Sequence, residues 1–203
     1  MDFSRAFTSI LASVIIVARR SVALIFYPYK TMREIAREDD FLQIGILFTI
    51  ILIYYLGVNT IRDTAWHPLI QFLFVGINYT GTIFFTYIFA QIHRTGASLR
   101  PYFFLFSYAM IPTIIWFYMN SLLYVALPPP RNITLTGKVF SLVFITLSVS
   151  LLTWKILLWY LAVRYATRLK FYDILLIGVL FFAFLLPYAL LLYNLSLFRI
   201  PFI

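Results

Sequence analysis

Cysteine is absent from this chain. That excludes disulfides, thiol catalysis and thiolate metal sites, and leaves the redox compartment open. Charge is scarce as well. Only seven acidic residues and two histidines occur among 203 residues, and 11% of the chain is charged, against about 25% in a soluble globular domain. So few titratable groups leave little with which to assemble a catalytic site. His67 and His93 fall on opposite predicted sides of a membrane and cannot share a metal ion. No HExxH, GxSxG, phosphate-binding loop or dinucleotide fingerprint is present. The composition therefore points away from an enzyme and implies neither metal nor cofactor.

What the chain has instead is apolar and aromatic mass, 63% and 20% of its residues respectively, with a mean hydropathy of +0.94. A soluble fold of this length would leave much of that surface exposed as patches above a few hundred Å², so a bilayer is the fitting solvent. Five segments approach the roughly 20 apolar residues needed to cross the hydrocarbon core. They run over about 41–58, 69–92, 102–127, 139–163 and 171–194. The loops between them are short, and Pro128, Pro129 and Pro130 form a hard stop after the third. We read residues 41–203 as one all-α, polytopic transmembrane helix bundle of five spans, preceded by a surface-lying region over residues 1–40. Asn132-Ile133-Thr134 is a formal glycosylation sequon, relevant only in a secretory-pathway host.

The net charge of +9 would suggest nucleic acid in a soluble protein. Here the basic residues cluster between apolar runs, so topology and anionic headgroups explain them and nucleic acid does not. Arg5, Arg19, Arg20, Lys30, Arg33, Arg37, Arg94, Arg100, Arg164, Arg168 and Lys170 fall on one side of the five spans. Arg62, Arg131, Lys138 and Arg199 fall on the other. The positive-inside rule places the N-terminus in the cytoplasm and the C-terminus outside.

Residues 6–27 admit three readings. Phe3, Phe7, Ile10, Leu11, Val14 and Ala18 recur at helical spacing, but Arg19 and Arg20 follow an apolar run of only 12 residues. Burying both arginines in a span would cost about 2.5–3.5 kcal/mol each. Asp2 ahead of the run, and an Arg-Arg pair where small residues belong, count against a cleaved signal. An amphipathic helix lying in the interface fits best, with an extra span and a signal peptide as rivals. After Pro28, a helix-starting residue, Tyr29, Met32, Ile35 and Ala36 share one face, with Lys30, Arg33, Glu34, Arg37 and Glu38 mostly on the other. This second short amphipathic helix hands over to the first span. Arg19, Arg20, Lys30, Arg33 and Arg37 are the interfacial basic residues of this surface region, facing anionic lipid.

Within the spans, Lys155 stands out, because an intramembrane ionisable residue is a functional candidate by default. Trp154 adjoins it, and Trp159 lies one turn on, placed to stack on the ammonium. With Arg164, Arg168 and Lys170 they form a candidate lipid or anion site reached from the cytoplasmic leaflet. A snorkelling lysine, paired with carbonyls or with Asp173, is the structural alternative. Asp173 is the acid within the fifth span and an ion-pair or helix-capping candidate. Gln43, Gln71, Asn78, Gln91 and Asn120 suit hydrogen bonds between helices. Gly76, Asn78 and Gly81 suggest tight packing. Pro112 and Pro187 are expected to kink or unwind their helices, making Pro112 a candidate hinge or crevice.

The stretch PYKTMREIAREDD resembles the start of the Yip domain, named for the Ypt-interacting proteins. Pro28, Met32, Ile35, Glu38 and Asp39 match its pattern of a proline, a bulky apolar residue and an isoleucine followed by acids that lead into the first of five spans. SYAMIP in the third span is similar to the family's Gly-Tyr-x-x-x-Pro at Tyr108 and Pro112, with Ser107 in place of glycine. The resemblance covers the chain from about residue 20. It implies a five-span, non-enzymatic protein that organises membrane or partners through helix packing and anionic-lipid contact, as a homo-oligomer or a subunit of a complex. Eukaryotic members bind prenylated Rab-type GTPases through a long polar N-terminal region. No such region precedes residue 28, so the compact form suggests a prokaryotic cytoplasmic membrane. A small lipid or solute transporter or channel, working at a crevice near Pro112, Lys155 and Asp173, is the alternative.

Overall fold

The structure, a computed structural model, describes residues 3–61, 66–93, 95–126 and 135–195. The prolines at 128–130 and the sequon at 132–134 lie outside the described residues. Those described form eight helices and no strand: α1 (Phe3–Phe26), α2 (Pro28–Ile35), α3 (Leu42–Ile61), α4 (Pro68–Ile92), α5 (Arg100–Ala109), α6 (Ile111–Ala126), α7 (Leu135–Thr167) and α8 (Phe171–Asn194). The fold is all-helical, as the composition implies. Six helical stretches are long and apolar enough to cross a membrane, counting α5 and α6 as one. Five correspond to the predicted segments. The sixth is α1, whose helix runs unbroken through Arg19 and Arg20 where the apolar run was expected to stop.

The α5–α6 stretch stands in the middle, and nearly every residue from Phe104 to Phe117 is buried, although α8 is the more apolar stretch. Lipid tails are as apolar as leucine, so apolarity alone does not draw a helix inward. Around it stand α3, α4 and α7, with the α5–α7 contact the most extensive. Tyr118 donates to the Ile50 carbonyl (3.0 Å), Trp116 donates to Ser148 (3.1 Å), and Tyr54 stacks on Phe117 with centroids 4.9 Å apart. By contrast α8 is peripheral and touches α7 and α4 only lightly. Its far end is held by Trp66, whose indole donates to the Leu195 carbonyl (2.9 Å).

Pro112 breaks its helix as expected. It has no N–H for the Tyr108 carbonyl, and its ring crowds that same carbonyl. The chain turns at Met110, whose N–H bonds to Ser107 (3.2 Å), and restarts as α6. Pro187 behaves differently. It is exposed, and α8 runs through it without a break. The glycines also depart from expectation. A Cβ added at Gly76 or Gly81 would meet nothing within 4 Å, so neither marks close packing. Gly178 does sit against a neighbour, the Trp159 ring, 3.6 Å from where its Cβ would be.

Pro28 opens α2, which buries Thr31, Met32 and Ile35 against α5 and α7. Met32 and Ile35 are wholly inaccessible, and burial of that order stabilises by about 1.5–3 kcal/mol per side chain. Tyr29, expected on the same face, is exposed. It lies instead at the rim, packed edge-on to Tyr165 (5.4 Å) and beneath the Arg164 guanidinium (5.8 Å).

Candidate functional site

At the head of α3 the charged cluster of residues 33–40 resolves into specific partners. Glu38 forms an ion pair with Arg20 of α1, and Asp39 forms one with Arg100 at the start of α5. Asp40 caps α3 by accepting from the Leu42 N–H (3.1 Å), and also accepts from the Ser13 hydroxyl. Gln43 is completely buried. Its Oε1 accepts from both Arg20 (2.8 Å) and the Tyr108 hydroxyl (2.6 Å). One polar network thus joins α1, the α2–α3 turn, α3 and α5. Burial tends to raise the Glu38 carboxyl pKa, but the hydrogen bond and charge of Arg20, with help from the Asp40 N–H and Gln43, hold it below the ordinary carboxylate value.

Arg20, expected as a free cation, is therefore committed to partners within the protein. Nearby cations are not. Arg19 and Lys30 have no ion pair or hydrogen bond with any described residue. Together with Arg20, Thr31 and Glu34 they line a cleft of about 390 Å³ between α1 and α2. Arg33 and Arg37 project outward from the same end. The contacts of α2 with α5 and α7 bring Arg100, Arg164, Arg168 and Lys170 to that end also. Arg164 bonds the Tyr160 hydroxyl (3.2 Å), and Arg168 turns the chain between α7 and α8 with a φ of 58°. Lys138 lies at the opposite end, in the first turn of α7.

A second space opens between α4, α5–α6, α7 and α8. It measures about 830 Å³ and is lined chiefly by apolar side chains. Lys155 is the charged residue in its wall, with Trp159 and Thr113 beside other lining residues. No described residue pairs with the Lys155 ammonium. Trp154 does not line the space. Trp159 does, yet its ring stacks on Phe181 (5.7 Å) in place of the expected stacking on Lys155. Asp173 does not pair with Lys155 or any other described cation. It occupies the first turn of α8, where a negative charge complements the helix dipole. The expected cluster therefore divides. Lys155 and Trp159 share the cavity, while Arg164, Arg168 and Lys170 gather at the end of the bundle.

The expectation of interhelical hydrogen bonds holds for Gln43 and for Asn78, which accepts from Tyr188 of α8 (2.7 Å). Gln71 and Gln91 instead donate to backbone carbonyls of adjoining turns, at Trp66 (3.0 Å) and Ala97 (2.9 Å). His67 and His93 cap opposite ends of α4. Among the described residues no three metal-binding side chains come together. Compared with protein-family models, curated proteins and solved structures, the chain matches none.

Proposed function

We propose that this chain is a non-enzymatic multi-pass membrane protein of the Yip-domain type, with five spans, N-in and C-out. In this reading it organises its membrane, a prokaryotic cytoplasmic one, through anionic-lipid contact, as a homo-oligomer or a subunit of a larger complex. The observation that carries the reading is the α1–α2 cleft. Arg19 and Lys30 remain uncommitted there while Arg20 is locked to Glu38 and Gln43. A cleft held rigid by one cation and presenting two others against one carboxylate, Glu34, stays net positive and suits a phosphate-bearing headgroup. The two segments that resemble the family lend support because they meet in space: Glu38 reaches Arg20, Arg20 reaches Gln43, and Gln43 reaches Tyr108.

The five-span topology draws support from the position of α1. Ser13 and Arg20, about 10 Å apart along α1 at 1.5 Å per residue, both bond the segment that opens α3. The middle of α1 is thus level with the head of the first span, which suits a helix lying at the surface better than one crossing beside α3.

Native mass spectrometry of protein released from its own membrane tests the lipid contact. The wild type should retain phosphatidylglycerol in preference to phosphatidylcholine. Each of Arg19→Gln and Lys30→Gln should weaken that preference about fivefold, since a basic residue near an anionic surface contributes about 1 kcal/mol. Equal retention of both lipids by wild type and variants would overturn the reading. The second reading, a small lipid or solute transporter, is favoured by one observation: Lys155 and Thr113, the latter next to Pro112, face a common cavity. Asp173 is not part of it.

A further inference from the structure

The cavity between α4, α5–α6, α7 and α8 carries a more specific assignment. It rests on the second reading above, that this space takes a ligand. At about 830 Å³ it falls within the roughly 300–1,000 Å³ typical of small-molecule sites. Its wall is so apolar that an aqueous solute would gain nothing by entering. Most of its few polar groups are already satisfied. Tyr79 bonds the Phe103 carbonyl (2.7 Å) and Ser107 (2.8 Å), Thr82 bonds the Asn78 carbonyl (2.8 Å), and Tyr188 bonds the Asn78 side chain (2.7 Å).

Lys155 keeps unused hydrogen-bonding capacity in this space, for it lines the cavity and has no described partner. The Thr113 hydroxyl and Trp159 indole N–H also lack partners, but both atoms are closed off from accessible space and offer nothing to a ligand there. A lysine ammonium can only donate. Its complement is a compact acceptor with one negative charge, attached to a long apolar body that matches the rest of the wall.

We propose that the cavity binds a single-chain amphiphile, its acyl tail between α4 and α8 and its carboxylate on Lys155. The charge count favours a carboxylate over a phosphate monoester. One ammonium balances one negative charge, while a monoester carries about −1.5 to −2 and would leave charge uncompensated in an apolar wall. Depth points the same way. Lys155 lies nine residues before Arg164, about 13 Å along the helix, and its stem recovers only part of that distance. A ligand head must sink below the surface to reach it, which a small carboxylate does at less cost than a full phospholipid headgroup.

The probe is palmitate carrying a photoreactive diazirine on its chain, added to the full-length protein in detergent, with cross-linked positions read by mass spectrometry. Label should fall on α4, α6 and α8 residues lining the cavity. Lys155→Gln should reduce it at least tenfold, and Lys155→Arg should retain it. Unlabelled palmitate should compete at least tenfold better than hexadecanol. Label outside the cavity would overturn both the assignment and the ligand-site reading beneath it, and equal cavity label in wild type and Lys155→Gln would keep the ligand site and overturn the seat of the carboxylate on Lys155. Equal competition by hexadecanol would keep the ligand site and overturn the anion. Lysophosphatidate competing tenfold better than palmitate would overturn the carboxylate in favour of a phosphate head.

Discussion

Arg20→Met should lower the thermal unfolding midpoint of the detergent-solubilised protein by roughly 6–12 °C. The reasoning starts from what the substitution strands. Glu38 and Arg20 are each less than one-fifth exposed, and Gln43 has no access to solvent. Removing the guanidinium leaves a partly buried carboxylate unpaired and takes one of two donors from Gln43. Breaking one side of such a pair costs about 3 kcal/mol, and a domain of this size shifts by about 2–4 °C per kcal/mol. Glu38→Gln should cost less, because its amide can still meet the Arg20 donors. The double variant should lose less than the sum of the two single variants, since neither substitution can break the same contact twice. Additive losses would mean the network does not act as a unit.

The same pair sets an acid limit. A carboxyl whose pKa is depressed in the folded state contributes stability that is fully present above its unfolded value, about 4.3 for Glu. That contribution is lost as pH falls through the folded value. Arg20 lowers the Glu38 carboxyl in this way. The wild-type unfolding midpoint should therefore fall below about pH 4.5, and Glu38→Gln should show a shallower fall over the same range.

The spans were legible because their signal is local. The segment read as 171–194 matches α8 end to end, and those read as 69–92 and 41–58 match α4 and α3 within a few residues. Pro112 was legible for the same reason, since a missing N–H acts on its own turn. What escaped depends on partners far along the chain. Arg19 and Arg20 counted against a membrane span over residues 6–27 because two arginines are costly in hydrocarbon. That Glu38 and Gln43 meet Arg20 from outside α1 was not legible. Nothing near Gln43 predicts Tyr108, which lies 65 residues away and on another helix. Lys155 was visible as an anomaly, but its cavity was not. The space exists because α8 stands off from the core behind Trp159, Phe181 and Phe85, whose rings pack on one another (5.6–5.7 Å). That is a property of packing, which no single segment encodes.

A single cysteine at Ser9 or Ala12 should react with a membrane-impermeant maleimide from the same side as one at Lys30, and from the side opposite one at Lys138. The natural absence of cysteine makes each such variant a clean reporter. Lys30 marks the basic end of the bundle, and Lys138 lies at the start of α7, the other end. If α1 lies in the interface, Ser9 and Ala12 stay near the Lys30 level, because Ser13 is tied to Asp40 at the head of α3. If α1 crosses, those positions sink into the hydrocarbon and go unlabelled, and the N-terminus emerges beside Lys138. The apolar length of α1 permits crossing, so the outcome turns on the network. In the interface, the Arg20–Glu38–Gln43 contacts lie at headgroup depth, where water and lipid phosphates reach Arg19 and Lys30. A crossing α1 would carry Ser13 about 10 Å deeper than Arg20 and so away from Asp40 at the head of α3, a bond the interfacial orientation keeps. Labelling of Ser9→Cys that fails from the Lys30 side would remove the surface cleft as a headgroup site and make six the number of spans.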